Sequence, residues 1–237
     1  MRLPRQYPSG SRSVAAKLLW IVFGIVVVMV FFTRRVLVSL RAGGWSHAID
    51  EPVYQWVLEH QVPWAHWLAT LFHYWGSTPG MTLTMVLITV ALCWWQRNLW
   101  PLATTVVTAL GSVLCTIVLK AQLLVVRPGG VPGGVAPPET FSFPSGHTLN
   151  AAALIGISAY LAIVLGWRHY AKWIGIGAGI FVICMGLSRI YLGHHWVSDV
   201  VVGLTIGVGW AAVVAILHFN YVPRPASLTG PGQRRTR

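Results

Sequence analysis

At 237 residues the chain is 55% hydrophobic and only 9% charged, whereas an ordinary soluble domain carries about 25% charged side chains. That balance excludes a soluble globular domain and points to membrane spans, since about 20 uncharged residues match a hydrocarbon core ~30 Å thick. The formal charge of +12 does not mark a nucleic-acid binder, because the 17 Lys and Arg are scattered in short groups between apolar runs instead of forming one basic face.

The predicted elements begin with a cytoplasmic tail over residues 1–13. Basic residues ahead of an apolar stretch resemble a signal peptide, but Arg34 and Arg35 stand where a small-residue cleavage site belongs, so a retained first span is expected. Within 14–33 only Lys17 is charged, and 79–95, 99–119, 148–167, 173–188 and 200–217 carry no charge at all. These runs predict an all-α polytopic membrane protein with six transmembrane helices, forming one domain over 14–220. The short fifth run is expected to extend toward Leu192, with Arg189 near the interface.

Between the first two spans, Trp45, Trp56, Trp64, Trp67 and Trp75 lie among polar residues. Amphipathic rings favour the headgroup level, so this is an interfacial segment, serving either as an anchoring belt or as a surface that grips a lipid. The loop 129–138 (GGVPGGVAPP) is too rich in Gly and Pro for a helix or strand interior and reads as a mobile lid or a linker. The pairs Gly175/Gly179 and Gly203/Gly207 have the small-xxx-small spacing that lets helices approach closely. Cys93, Cys115 and Cys184 each sit in an apolar run without metal-ligand spacing, and are expected to pack. The basic stretch 221–237 reads as a disordered cytoplasmic tail.

With the N-terminus inside, the cytoplasmic side holds Arg2, Arg5, Arg12, Lys17, Arg97, Arg168, Lys172, Arg224, Arg234, Arg235 and Arg237, which is eleven of the 17 cations. The excess of Lys and Arg on cytoplasmic loops favours this orientation. It leaves Lys120, Arg127 and Arg189 on the outer side, where three segments rich in cations, histidine and glycine converge.

The first of these runs from Lys120 to Arg127-Pro128. Seven residues of helix turn through about 700°, which predicts both cations on one face about 10 Å apart. The second is Pro144-Ser145-Gly146-His147, leading straight into the fourth span. Backbone N–H groups at a helix start, with Gly146 allowing close approach and Ser145 adding a donor, suit a phosphate. The third is Ser188-Arg189, then His195 and Asp199 at i and i+4. On a helix these two share a face, so the carboxylate fixes the imidazole tautomer and leaves the other ring nitrogen to attack. His194 falls one residue off that spacing and is read as a neighbour without a catalytic role. His73, Asp50 and Asn150 have no partner in the sequence pattern.

The three segments resemble the signature of the type 2 phosphatidic acid phosphatase superfamily, KxxxxxxRP, PSGH and SRxxxxxHxxxD, with every fixed position matched in order. The resemblance implies a phosphohistidine mechanism. His195 is the nucleophile, Asp199 orients it, and His147 is the acid for the leaving group and then the base for water. Lys120, Arg127, Ser145, Gly146 and Arg189 hold the phosphoryl oxygens. No metal and no cofactor is expected, the three cations taking a metal's place.

Catalytic groups at span ends imply a substrate delivered by a lipid anchor. The expected partner is therefore a lipid phosphate or diphosphate, with polyprenyl (undecaprenyl-type) diphosphate first, phosphatidylglycerophosphate or phosphatidate next. The expected location is the inner (plasma) membrane, with the site facing outward and both termini cytoplasmic. The alternatives are a phosphotransferase, a vanadate-dependent haloperoxidase (disfavoured by the apolar spans), and a headgroup-binding or transport protein that gains little from Asp199. The sequence assigns no oligomeric state.

Overall fold

The computed structural model describes residues 10–221, leaving aside the side chains of 10–16, 41 and 45–47. The N-terminal tail up to residue 9 and the C-terminal tail beyond 221 lie outside the described residues. Among these residues the fold is entirely helical: α1 (Gly10–Arg41), α2 (Trp45–Glu59), α3 (Pro63–Gly76), α4 (Thr78–Gln96), α5 (Trp100–Leu123), α6 (Gly146–Ala162), α7 (Ala171–Tyr191) and α8 (Val197–Tyr221). Proline opens α3, α4 and α5 within the first two positions, where its missing N–H has no intrahelical partner to lose.

Five stretches are long and apolar enough to cross a membrane, namely Lys17–Leu40, Thr78–Gln96, Trp100–Leu123, Gly146–Tyr191 and Val197–Tyr221. The fourth, at 46 residues, contains α6 and α7. It is interrupted over 163–170, where Gly166 takes φ +147°, a conformation open to glycine. Beyond that break the chain reverses, because Gly186 near the end of α7 faces Thr148 near the start of α6. α1 runs well past the predicted 14–33, carrying Arg34 and Arg35 within the helix. An apolar count measures membrane depth, whereas a helix continues until something stops it.

The helices α6 and α8 form the centre of the bundle. They pack most extensively against each other, and α8 also meets α1, α2, α5 and α7. Their contact is set by small residues. A Cβ on Gly203 would stand 2.8 Å from the Ser145 carbonyl oxygen, and one on Gly207 would overlap the Leu149 carbonyl oxygen. Among the described residues Gly175 and Gly179 have nothing within 4 Å of a Cβ, so the close packing expected there is absent from that part of the chain. They lie on a face of α7 that no described residue approaches, and spacing alone does not tell such a face from a packed one. Around the α6–α8 contact, Val36, Phe143, Leu149, Val202 and Ile206 form one buried cluster, and Met81, Met85, Ala151, Leu154 and Met185 a second.

The tryptophan-rich segment folds as α2 and α3, of 15 and 14 residues, each short of the ~17 residues a span requires. Trp56, Trp64, Trp67 and Trp75 are exposed on these helices, while α2 packs on α8 and α3 packs on α7.

The glycine contrast is testable by thermal unfolding in detergent. Gly207→Ala forces backbone apart at the central contact and should cost about 1–3 kcal/mol, whereas Gly179→Ala, with open space around it, should leave stability unchanged or slightly raised.

Candidate active site

The turn 192–196 between α7 and α8 carries the central histidine. Gly193 closes α7 with φ +63°, its N–H donating to the Ile190 carbonyl at 2.9 Å. A Cβ there would be strained and would stand 2.7 Å from the Gly130 carbonyl oxygen. Because this turn intervenes, His195 precedes α8 instead of lying on a helix with Asp199. The pairing forms by a different route. In the first turn of α8, Asp199 reaches back so that Oδ2 accepts the Trp196 N–H at 2.9 Å, as the acidic residue of a capping box does. That brings the same oxygen to 3.2 Å from His195 Nδ1. The Ser142 hydroxyl also donates to it.

The donors assign the tautomer. Arg127 NH1 lies 3.0 Å from His195 Nε2, and a guanidinium can only donate. Nε2 therefore carries the lone pair and Nδ1 the proton that faces Asp199. His195 is only 4% exposed. Burial first, then the positive charge of Arg127, lowers its pKa well below the ordinary 6.5, so the ring is neutral at physiological pH.

Lys120 and Arg127 do not share a helix face as their spacing predicted. α5 ends at Leu123, and Leu124 takes a left-handed φ of +51°. The two cations converge all the same, on the segment 140–142. Lys120 Nζ donates to the carbonyl oxygens of Phe141 and, at 3.2 Å, Ser142. Arg127 donates from Nε to the Thr140 carbonyl at 2.7 Å and from NH1 to the His194 carbonyl at 2.6 Å, tying that segment to the histidine turn.

Arg189, expected near the interface, is 0% exposed within the protein. Its NH1 meets His73 Nδ1 at 2.8 Å and its NH2 meets His194 Nδ1. No carboxylate pairs with it among the described residues. His194 Nε2 lies 2.8 Å from the Val135 carbonyl oxygen and must donate there, which leaves Nδ1 as the acceptor for Arg189. His194 thus contacts the buried arginine, a role its offset from the motif spacing did not reveal.

Ser145 caps α6. Its N–H donates to the Asp199 carbonyl oxygen at 3.1 Å, and its hydroxyl lies 3.0 Å from Thr148 Oγ1. A Cβ on Gly146 would stand 3.1 Å from Thr116 Cγ2, so the glycine allows α5 to come close. His147, in the first turn of α6, lies against the His73 ring with centroids 5.7 Å apart at 20°, and its buried Nε2 has no hydrogen-bond partner among the described residues. Asp50, without a partner in the sequence pattern, accepts the Ser198 N–H at 2.9 Å and its hydroxyl at 2.6 Å, closing the N-terminus of α8. The loop 129–138 is anchored over the turn: Gly130 N–H donates to the Gly193 carbonyl at 2.9 Å, and the Tyr54 hydroxyl donates to the Gly130 carbonyl at 2.8 Å.

The seven side chains predicted for the site, together with Gly146, fall at helix ends or on the loops joining them at one end of the bundle. Sequence reading missed His73, Ser142 and the Arg189 contact of His194. Ser142 had a faint signal, as it lies three residues before Ser145. His73 had none, being 116 residues from Arg189 in sequence. Among the described residues no cluster of His, Cys, Asp and Glu is arranged to hold a metal.

Apolar helices that gather three cations around a His–Asp pair define a membrane phosphatase. Residues 62–223 match the PAP2 superfamily. Phosphatidylglycerophosphatase B of Bacillus subtilis (strain 168) is 29% identical over 165 residues, covering 67% of this chain and 78% of that protein. The crystal structure of the first transmembrane PAP2 type phosphatidylglycerolphosphate phosphatase from Bacillus subtilis superposes with a TM-score of 0.72 at 26% identity, covering 79% of this chain and 92% of that one. A shorter match, 29% identical over 79 residues, covers 33% of this chain and 34% of the undecaprenyl-diphosphatase of Sulfolobus acidocaldarius. The chain belongs to the PAP2 superfamily. Its activity is that of a lipid phosphate phosphatase in a multi-pass membrane protein.

Burial first, then the Arg189 charge, lowers the His194 pKa from 6.5 to about 4. Between those values the unfolded chain binds a proton that the folded chain excludes, so the stability linked to His194 is complete above pH 6.5 and is lost as the pH falls toward about 4. Thermal unfolding measured across this window should show that loss, to which His195 also contributes, and His194→Asn, which does not titrate, should make it shallower.

Proposed function

We propose that this protein hydrolyses a lipid phosphate through a phosphohistidine on His195 Nε2. The observation that carries the reading is the His195 ring itself, its Nδ1 held 3.2 Å from Asp199 and its Nε2 lone pair turned toward Arg127 at 3.0 Å. In the first step Nε2 attacks phosphorus, an N–P bond forms, and the bond from phosphorus to the leaving oxygen breaks. His147 gives that oxygen its proton, while Asp199 stabilises the charge developing on the ring. In the second step His147 takes a proton from water, the water oxygen attacks phosphorus, and the N–P bond breaks to release phosphate and neutral His195.

Lys120, Arg127 and Arg189 supply the positive charge that meets the phosphoryl oxygens, with the Ser145 hydroxyl and the Gly146 N–H as further donors. One buried carboxylate, Asp199, stands among these cations, and Asp50 is buried against Ser198 at the start of α8. The surplus is positive, and buried positive charge favours an anionic occupant.

The substrate is lipid-borne because the site lies at the ends of apolar helices. Phosphatidylglycerophosphate takes first place over polyprenyl diphosphate and phosphatidate, since the relative named for it matches over the larger share of the chain. The reversal at Gly166 supports counting α6 and α7 as separate crossings. With α1, α4, α5 and α8 they make six, and α2 and α3 lie along the outer interface. The cation distribution supports cytoplasmic termini in the inner membrane and an outward site.

Purified protein in detergent, given a panel of phosphatidylglycerophosphate, polyprenyl diphosphate and phosphatidate with chelator present, should release phosphate fastest from the first. His195→Ala should lower that rate at least ~1,000-fold, and acid-labile phosphate should be trapped on the parent alone. Parental release by His195→Ala would remove the nucleophile, and a requirement for added divalent metal would remove the metal-free mechanism.

A further inference from the structure

We infer that His73 is a positioning residue of this site, holding the Arg189 guanidinium and the His147 ring in fixed relation. The inference rests on the catalytic reading given above.

Arg189 is fully buried, and both terminal nitrogens of its fork meet imidazoles, NH1 at His73 Nδ1 (2.8 Å) and NH2 at His194 Nδ1. Since arginine only donates, both imidazoles accept at Nδ1 and are uncharged there. Two neutral acceptors orient a guanidinium without cancelling its charge, which a carboxylate would do. The whole positive charge is kept for a phosphoryl group. His194 is itself fixed through the Val135 carbonyl oxygen. His73 arrives from a separate element, α3.

The same ring also meets the acid–base histidine. His73 and His147 lie nearly parallel with centroids 5.7 Å apart, and His73 meets His194 edge-on at 5.4 Å. One turn further along α3, Gly76 faces His147 as well, and a Cβ there would come within 2.7 Å of His147 Cδ2. The last turn of α3 is therefore a wall against which His147 rests. His73 joins that wall to the arginine, its accepting nitrogen setting the guanidinium and its ring face setting the His147 rotamer. Both settings matter because a displacement of ~1 Å at a reacting group can cost ~100-fold in rate.

The test uses the full chain in detergent with phosphatidylglycerophosphate as substrate and inorganic vanadate as a probe of the phosphoryl pocket. His73→Phe keeps a stacked ring and loses the acceptor, whereas His73→Asn keeps an acceptor near the place of Nδ1. By analogy with partners that orient metal ligands, kcat should fall about 10–100-fold in His73→Phe, with KM changed by less than about threefold. Vanadate inhibition should weaken in step, and His73→Asn should recover most of the loss. Parental kcat and vanadate inhibition in His73→Phe would overturn the inference. So would equal losses in both variants accompanied by lower unfolding temperatures, which would make His73 a packing residue. His195→Ala run alongside separates the two readings. If it stays active, the catalytic assignment fails, whereas an inactive His195→Ala beside a fully active His73→Phe removes only the role of His73.

Discussion

One carboxylate oxygen, Oδ2 of Asp199, is where the active end of this protein is tied together. It accepts the Trp196 N–H, the Ser142 hydroxyl and His195 Nδ1, while the Asp199 main-chain oxygen accepts the Ser145 N–H. The start of α8, the start of α6, the segment after the Gly/Pro loop and the histidine turn are thus joined through one residue. Hydrogen bonds to a charged group contribute about 1.5–3 kcal/mol each, and here every one also fixes a direction. In the proposed mechanism, lost direction at the histidine matters more than lost stability.

That knot works because the helices beneath it bring their ends to the same level. Lys120 lies in the last turn of α5, Ser145 to His147 open α6, Arg189 lies in the last turn of α7 and Asp199 in the first turn of α8. Chain direction alternates through the bundle, so ends and starts alternate at one face. The glycine contact between α6 and α8 holds the two central helices at backbone distance, where longer side chains would let them shift. Precision at the site therefore depends partly on residues that carry no chemistry.

The motif residues were legible because each is defined by spacing along the chain, and spacing survives even where the local geometry was misjudged. His195 and Asp199 meet although His195 is not helical, since a capping interaction reproduces the approach that an i, i+4 helix pair would have made. Lys120 and Arg127 converge although α5 stops at Leu123, because the chain returns over 140–142 to meet both. The left-handed Leu124 had no forecast, as leucine rarely adopts that conformation. His73 was illegible for a different reason. Its partners come from α6, α7 and the turn before α8, and no one-dimensional pattern encodes a contact that tertiary packing creates. The bounds of α4 to α8 were readable to within about five residues, whereas α1 continues past its apolar run and the division of the interfacial segment into α2 and α3 had no predicted bounds.

The bond from Arg127 to His195 gives the proposed mechanism a built-in interlock. A guanidinium N–H aimed at Nε2 occupies the lone pair that must attack. A phosphoryl oxygen that draws this N–H to itself unmasks the nucleophile in the same movement. The histidine is then exposed only to molecules able to compete for an arginine, so neutral electrophiles meet a capped nitrogen while phosphate esters lift the cap themselves.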